Sequence, residues 1–157
     1  IYPHLRRYCR FRQLSPWPFI LAFPFASYSR CLPMEKNIKW GIVTNKYQKY
    51  AKPIIDGIKL LNKHCSVLVC GDTTNHAKPH PEPILHALKL LTFEGEETIY
   101  IGDDPRDIQA GYNAGCWTHA VDFFVENNKK PHLSGWGSDD FSVTVQELGN
   151  KLGLDLA

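Results

Sequence analysis

The chain has 157 residues, enough for one domain with a real core, because a chain of this size buries about two-thirds of its unfolded surface. Apolar residues are 43% and charged residues 22% of the total, ordinary values for a globular protein, and no apolar run reaches the roughly 18 residues that argue for a membrane span. The net charge of +2 is too small to point to nucleic acid, and five cysteines without a C-x-x-C pair fit reduced thiols and a cytoplasmic protein.

The composition breaks near residue 33. Residues 1–33 hold five Arg, no Lys, no Asp or Glu, five of the eleven Pro and eight of the nineteen aromatics. Residues 34–157 hold the other thirteen basic residues and all sixteen acids, a net of −3, and Arg106 is the only Arg among them. The chain is therefore divided into an atypical Arg/Pro/aromatic segment, 1–33, and a regular part, 34–157. Arg6, Arg7, Arg10 and Arg12 precede the apolar run Phe19–Phe23, in loose imitation of a signal peptide. Pro16, Pro18 and Pro24 break the helix such a region forms. A basic arm for RNA would need a recognisable module or repeat, and neither is present. Without periodicity or caps, residues 1–33 read as disordered or non-native, and Ile1 in place of Met implies that the true start lies upstream.

From residue 38 the pattern is regular. Ile38–Thr44 reads as a buried strand ending in polar residues. Residues 47–63 read as helical, with Ile54, Ile55, Ile58 and Leu61 as the apolar stripe and Pro53 as a break or restart. Val67–Cys70 is a second strand, closed by Gly71-Asp72, and a polar loop then carries Lys78. Pro81–Leu91 is a helix with Pro in its first turn and Ile84, Leu85, Leu88 and Leu91 inward. Thr98–Ile101 is a third strand. Pro105–Ala114 is a helix started by Pro105 and stopped by Gly115. Trp117–Val121 is a fourth strand and Ser142–Leu152 a last helix, with Asp139-Asp140 leading into it.

Strands alternating with helices imply an α/β fold: a Rossmann-like parallel sheet covered by helices on both faces. Such sheets bind ligands beyond the carboxyl ends of their strands. Three polar groups fall there: Thr44-Asn45, the loop with Lys78, and Asp103-Asp104 with Asp107. Three carboxylates within five residues repel one another unless a hard cation sits among them, and Mg²⁺ suits carboxylate and water ligands. Helix capping is the alternative for Asp104 or Asp107, but a single cap does not account for all three. Thr44 and Asn45 read as an anion site or a plain cap. Lys78 is a loop lysine whose value comes from company, since a phosphate opposite Mg²⁺ needs a cation. His76 and His80 are separated by Pro79, form no helical metal pair and read as loop residues, and His86 reads as structural or exposed.

Together these motifs resemble the haloacid dehalogenase superfamily, in particular its phosphoglycolate phosphatase-like branch. Gly41-Ile-Val-Thr-Asn-Lys46 is similar to that family's second motif, and Gly71-Asp-Thr-Thr-Asn-His-Ala-Lys-Pro-His-Pro-Glu-Pro83 to its third. The stretch from Ile101-Gly-Asp-Asp-Pro-Arg-Asp107 to Gly115 is similar to its fourth. The match runs from about Met34 to the end. The resemblance implies hydrolysis of a small phosphorylated metabolite with Mg²⁺. Thr44 and Asn45 would bind the phosphate, Lys78 would stabilise its charge, and Asp103 would hold the metal with Asp104 or Asp107 in support. The family's nucleophile is the first Asp of an Asp-x-Asp-x-Thr segment, which forms an aspartyl-phosphate.

Residues 1–33 contain no Asp, so that segment is missing, and with it, on this reading, the nucleophile strand at the centre of the sheet and the cap domain that follows it. Phe19–Phe23 is the one apolar run that could fill the slot, and it carries no carboxylate. Three readings follow: a fragment of a Mg²⁺-dependent phosphatase, a non-catalytic module that keeps the phosphate and metal pocket, or a precursor with an odd targeting segment. The break near residue 33 favours the first. A sheet without its central strand counts against the second.

Overall fold

A computed structural model describes residues 19–22, 39–123 and 133–152. Its strands are β1 (Phe19–Ala22), β2 (Trp40–Val43), β3 (Val67–Val69), β4 (Ile99–Gly102), β5 (Trp117–Val121) and β6 (Asp140–Ser142). The helices are α1 (Gln48–Gly57), α2 (Lys59–His64), α3 (Glu82–Leu91), α4 (Pro105–Asn113) and α5 (Val145–Leu152). Among the described residues the strands form one sheet in the order β3-β2-β1-β4-β5-β6, and every neighbouring pair is parallel. The expected parallel α/β class is observed.

The central slot is not empty. Phe19 pairs with Trp40 on one side and Ile99 on the other, and Leu21 with Ile42 and Ile101. The expectation of a sheet open at its centre is thus corrected: the apolar run Phe-Ile-Leu-Ala completes it. A central parallel strand needs apolar, strand-compatible residues that pair along both edges. A carboxylate at its end serves chemistry, not pairing. Residues 23–39 connect β1 to β2, far fewer than the roughly 50 of the smallest domains, so no cap domain is inserted there. Apart from β1, residues 1–33 lie outside the described residues, and so does the disorder expected of them.

Strand alternation divides the core in two, because both faces of the sheet are covered. Trp40, Ile42, Ile99, Ile101 and Trp117 face α1, α2 and α5 through Ile55, Leu61 and Leu148. Val43, Val69, Tyr100 and Cys116 face α3 and α4 through Ile84, Ala87, Leu88, Leu91 and Ala110. Two residues of the expected stripes sit at their edges instead: Leu85 is 48% exposed and Ile54 38%. The sheet core closes without them.

Other boundaries differ for local reasons. The expected helix 47–63 is two helices, and it breaks after Gly57, where Ile58 turns to extended backbone, not at Pro53, which α1 contains. Glycine's poor helix propensity ends the run. Tyr47 offers α1 no side-chain cap; instead Asp72, from the loop after β3, accepts the Gln48 N–H at 2.8 Å. Gly115 stops α4 as expected, with φ of +80°. The Asp139-Asp140 pair does not lead into a helix. Asp139 accepts the N–H and hydroxyl of Thr118 at 2.8 and 2.9 Å, and Asp140 opens β6, which pairs with His119–Val121.

Candidate active site

The chain leaves β1 for β2 and β3 on one side of the sheet, then returns to β4 on the other. This reversal beside β1 is a topological switch point, where crevices open at the carboxyl ends of strands. A cleft of about 470 Å³ lies there, lined by Thr44, Asn45, Lys46, Ile54, Lys78, Asp103, Asp104, Arg106 and Asp107. All six residues singled out in the sequence line this one cleft.

Thr44 follows β2 and is buried. Its backbone N–H reaches Val69 O at 2.9 Å, and its hydroxyl accepts the Lys46 N–H at 3.2 Å. Asn45 acts mainly on its neighbour. Its Nδ2 donates to Lys78 O at 2.9 Å and its Oδ1 accepts the Lys78 N–H at 3.0 Å. One amide therefore grips both polar groups of the lysine's backbone and fixes a loop that comes from beyond β3. Gly71 makes the close approach possible, since a Cβ there would meet Asn45 O at 2.2 Å.

Lys78 points inward. Its ammonium lies 2.6 Å from Asp107 Oδ1, 2.9 Å from Val43 O and 3.1 Å from Tyr100 Oη. The Lys78 and Asp107 side chains are 5% and 6% exposed, so each charge depends on the other in a low-dielectric setting. Burial, followed by the Asp107 charge, pushes the Tyr100 phenol well above the ordinary range, so it stays protonated. Asp107 reaches the strand because Gly102 has no side chain; a Cβ there would meet Asp107 Cβ at 2.2 Å.

The three carboxylates have separate environments. Asp104 caps α4: it accepts the Arg106 N–H at 2.8 Å and takes two guanidinium bonds of 2.8 Å from the same residue. The Arg106 hydrogen bonds hold its carboxyl below the usual range. Asp107 belongs to Lys78. Asp103 has no ion-pair partner among the described residues, and burial, followed by the Asp107 charge, pushes it up to about 6. A half-buried carboxylate that resists ionisation beside a second anion suits a hard cation, whose charge would reverse the penalty. The donor set, carboxylate oxygens open to water, is one that Mg²⁺ accepts.

Sequence reasoning missed Tyr100, Arg106 and the grip of Asn45 on Lys78. Tyr100 lies in the expected third strand, but nothing in the sequence shows that its hydroxyl meets Lys78. Arg106, the single Arg after residue 33, was the signal for a carboxylate partner.

The family model for haloacid dehalogenase-like hydrolases matches residues 32–121. An N-acetylmuramic acid 6-phosphate phosphatase from Pseudomonas aeruginosa is 39% identical over 132 residues, 82% of this chain and 57% of that protein. The pyrophosphatase PpaX of Anoxybacillus flavithermus is 36% identical over 122 residues, 76% of this chain and 54% of that protein. The chain thus spans about half the length of the curated relatives it matches. Among solved structures, a candidate β-phosphoglucomutase from Thermotoga maritima superposes with a TM-score of 0.69 and 25% identity, covering 83% of this chain and 59% of that one. With its motifs converging on one cleft at the switch point of a parallel sheet, and the family model covering more than half of its length, the chain belongs to the haloacid dehalogenase-like hydrolases.

Proposed function

We propose that this cleft is the phosphate- and metal-binding part of a Mg²⁺-dependent phosphatase site acting on small phosphate monoesters. The observation that supports this best is the meeting of Thr44, Lys78 and Asp103, from three separate segments, around one opening. Asp103 holds the metal, with Asp107 or Asp104 in support, and Mg²⁺ bound there neutralises charge on the phosphate oxygens. The Thr44 hydroxyl donates to a phosphate oxygen. Lys78 supplies the fixed positive charge, and Asn45 positions it. In the complete reaction an Asp carboxylate oxygen attacks phosphorus, the ester P–O bond breaks and the leaving alcohol takes a proton. Water then releases phosphate and frees the carboxylate. The P. aeruginosa and A. flavithermus relatives, named for a sugar phosphate and for pyrophosphate, support a small phosphorylated substrate.

Because β1 brings no Asp to its end, the chain as written binds without turning over. Loss of a nucleophile costs on the order of 10⁶-fold in turnover in a well-studied hydrolase. The intact six-stranded sheet favours a second reading, a non-catalytic module that uses the same pocket for binding. Calorimetry of inorganic phosphate with and without Mg²⁺ tests the pocket. Phosphate binding should require Mg²⁺ and be lost in Asp103→Asn; equal binding by both proteins refutes the assignment. Assay of phosphate monoesters tests the missing nucleophile, because robust turnover abolished by Asp103→Ala would place a nucleophile elsewhere in the chain. Coding DNA upstream of residue 34, read in all forward frames, separates the two readings. An Asp-x-Asp-x-Thr segment there supports the phosphatase, and its absence supports the module.

A further inference from the structure

The loop that presents Lys78 inward carries a second cluster on its outer face. His76 and His80 stack with ring centroids 4.3 Å apart and planes 26° from parallel. His76 Nδ1 lies 2.6 Å from Glu82 Oε2, and His80 Nδ1 accepts the Glu82 backbone N–H at 3.2 Å. One donor atom from each of the three residues lies within 4.8 Å of the others. Helical spacing could not show this, because a loop turn, not a helix, brings the two rings together. The scaffold is ordered around Glu82, in the first turn of α3. Its carboxylate also accepts the backbone N–H groups of Asn75 and His76 at 3.4 and 3.1 Å. Thr74 Oγ1 donates to His76 O at 2.9 Å, and the His80 N–H to Ala77 O at 3.0 Å.

We propose that His76, His80 and Glu82 form a second metal site, for a borderline divalent ion such as Zn²⁺ or Ni²⁺, on the outer face of the Lys78 loop. Two imidazoles and a carboxylate suit such ions, whereas Mg²⁺ takes oxygen donors and keeps its water. The ion replaces the proton shared by His76 Nδ1 and Glu82 Oε2, and that proton leaves to solvent. Tetrahedral Zn²⁺ with bonds of roughly 2.0–2.1 Å holds its donors about 3.3 Å apart, so the His76–Glu82 pair opens from 2.6 Å and the wider separations, all within 4.8 Å, close by side-chain rotation. Water takes the remaining position. The groove alongside, bordered by Gln109 and Asn113 of α4, leaves space for it. A bound ion ties residues 76 and 80 to α3 and so staples the segment whose centre, Lys78, is gripped by Asn45.

The test is a calorimetric titration of the purified chain with Zn²⁺ in excess Mg²⁺, joined to NMR of the imidazole carbon-bound protons. The expected result is a single saturable equivalent that moves the His76 and His80 resonances first. Affinity should fall on the order of tenfold or more in His76→Gln and in His80→Gln and be unchanged in His86→Gln, on the same helix as Glu82. Absence of saturable binding overturns the proposal. So does binding undiminished in the His76→Gln/His80→Gln double variant, or first movement of other imidazoles, which would assign the ion to another site. Should the variants fail to fold, the resonances of the unmodified chain decide alone.

Discussion

Asp103→Asn should have opposite effects on stability with and without Mg²⁺. The native carboxyl titrates at about 6, raised from 3.8 chiefly by burial and then by Asp107. Between those values the native protein holds more protons at this site than the unfolded chain, so its stability falls as pH rises from about 4 to about 6. A gap of about two units corresponds to roughly 3 kcal/mol, but the group is only half-buried and water screens it, leaving about 1 kcal/mol. Asn keeps the shape and removes the charge. Without metal near neutral pH, the variant should be the more stable by about 1 kcal/mol, a rise of roughly 2–4 °C in Tm for a chain of this size. The difference should vanish near pH 4, where the wild-type carboxyl is protonated in the native state. With Mg²⁺ at about a hundred times its Kd, the wild type should gain about 2.7 kcal/mol and the variant little, which reverses the order. Thermal unfolding followed by circular dichroism at both pH values, with and without MgCl₂, measures all of this. A variant less stable without metal at neutral pH, or an equal Mg²⁺ gain in both proteins, would refute the reasoning.

Asp104→Ala should behave differently. It loses the α4 cap and costs about 1 kcal/mol in denaturant titration, since the exposed pair with Arg106 adds little, while most of the Mg²⁺ gain, which rests on Asp103, persists. Asp107→Asn should be severe, about 3–5 kcal/mol by the same titration, because it leaves the buried Lys78 ammonium without its anion. His119→Gln should flatten the acid limb of the stability curve. Burial lowers the native imidazole to about 4, so the unfolded chain binds more protons between that value and 6.5. The wild type should therefore lose on the order of 3 kcal/mol as pH falls through this window, while Gln keeps a partner for the Ser142 hydroxyl that His119 contacts at 2.9 Å.

The features most legible in the sequence were those set by local chemistry. Trp117–Val121 is a strand with the expected bounds because five consecutive residues are buried, a pattern an internal parallel strand imposes. Pro105 and Gly115 mark α4 because one fits its first turn and the other accepts positive φ. The convergence on one cleft followed from strand ends alone. Features set by distant partners were not legible. Asp-Phe-Ser at β6 has no apolar alternation, and it is a strand because β5 offers an edge and Asp139 anchors to Thr118. The left-handed Thr92 that ends α3 occupies a position where glycine would be the signal. The three carboxylates could not be sorted from their spacing, because their roles depend on Lys78 arriving from another loop and on Arg106 folding back over the helix start.

The separation of fold from chemistry at β1 bears on what the cleft does. Phe19–Ala22 meets the demands of a central strand on both edges, so the sheet, the switch point and the convergence of Thr44, Lys78 and Asp103 survive without a carboxylate on that strand. The cleft's remaining charges nearly cancel within it: Lys78 is matched by Asp107 and Arg106 by Asp104. That leaves Asp103 and Lys46 as the groups without an ion-pair partner among the described residues lining the cleft. An anion entering such a site meets little net attraction until a divalent cation joins Asp103, which turns the local balance positive. Phosphate affinity should therefore be conditional on the metal. This linkage resides entirely in residues 44–107, so it should persist whether or not a nucleophile is ever supplied to the strand beside it.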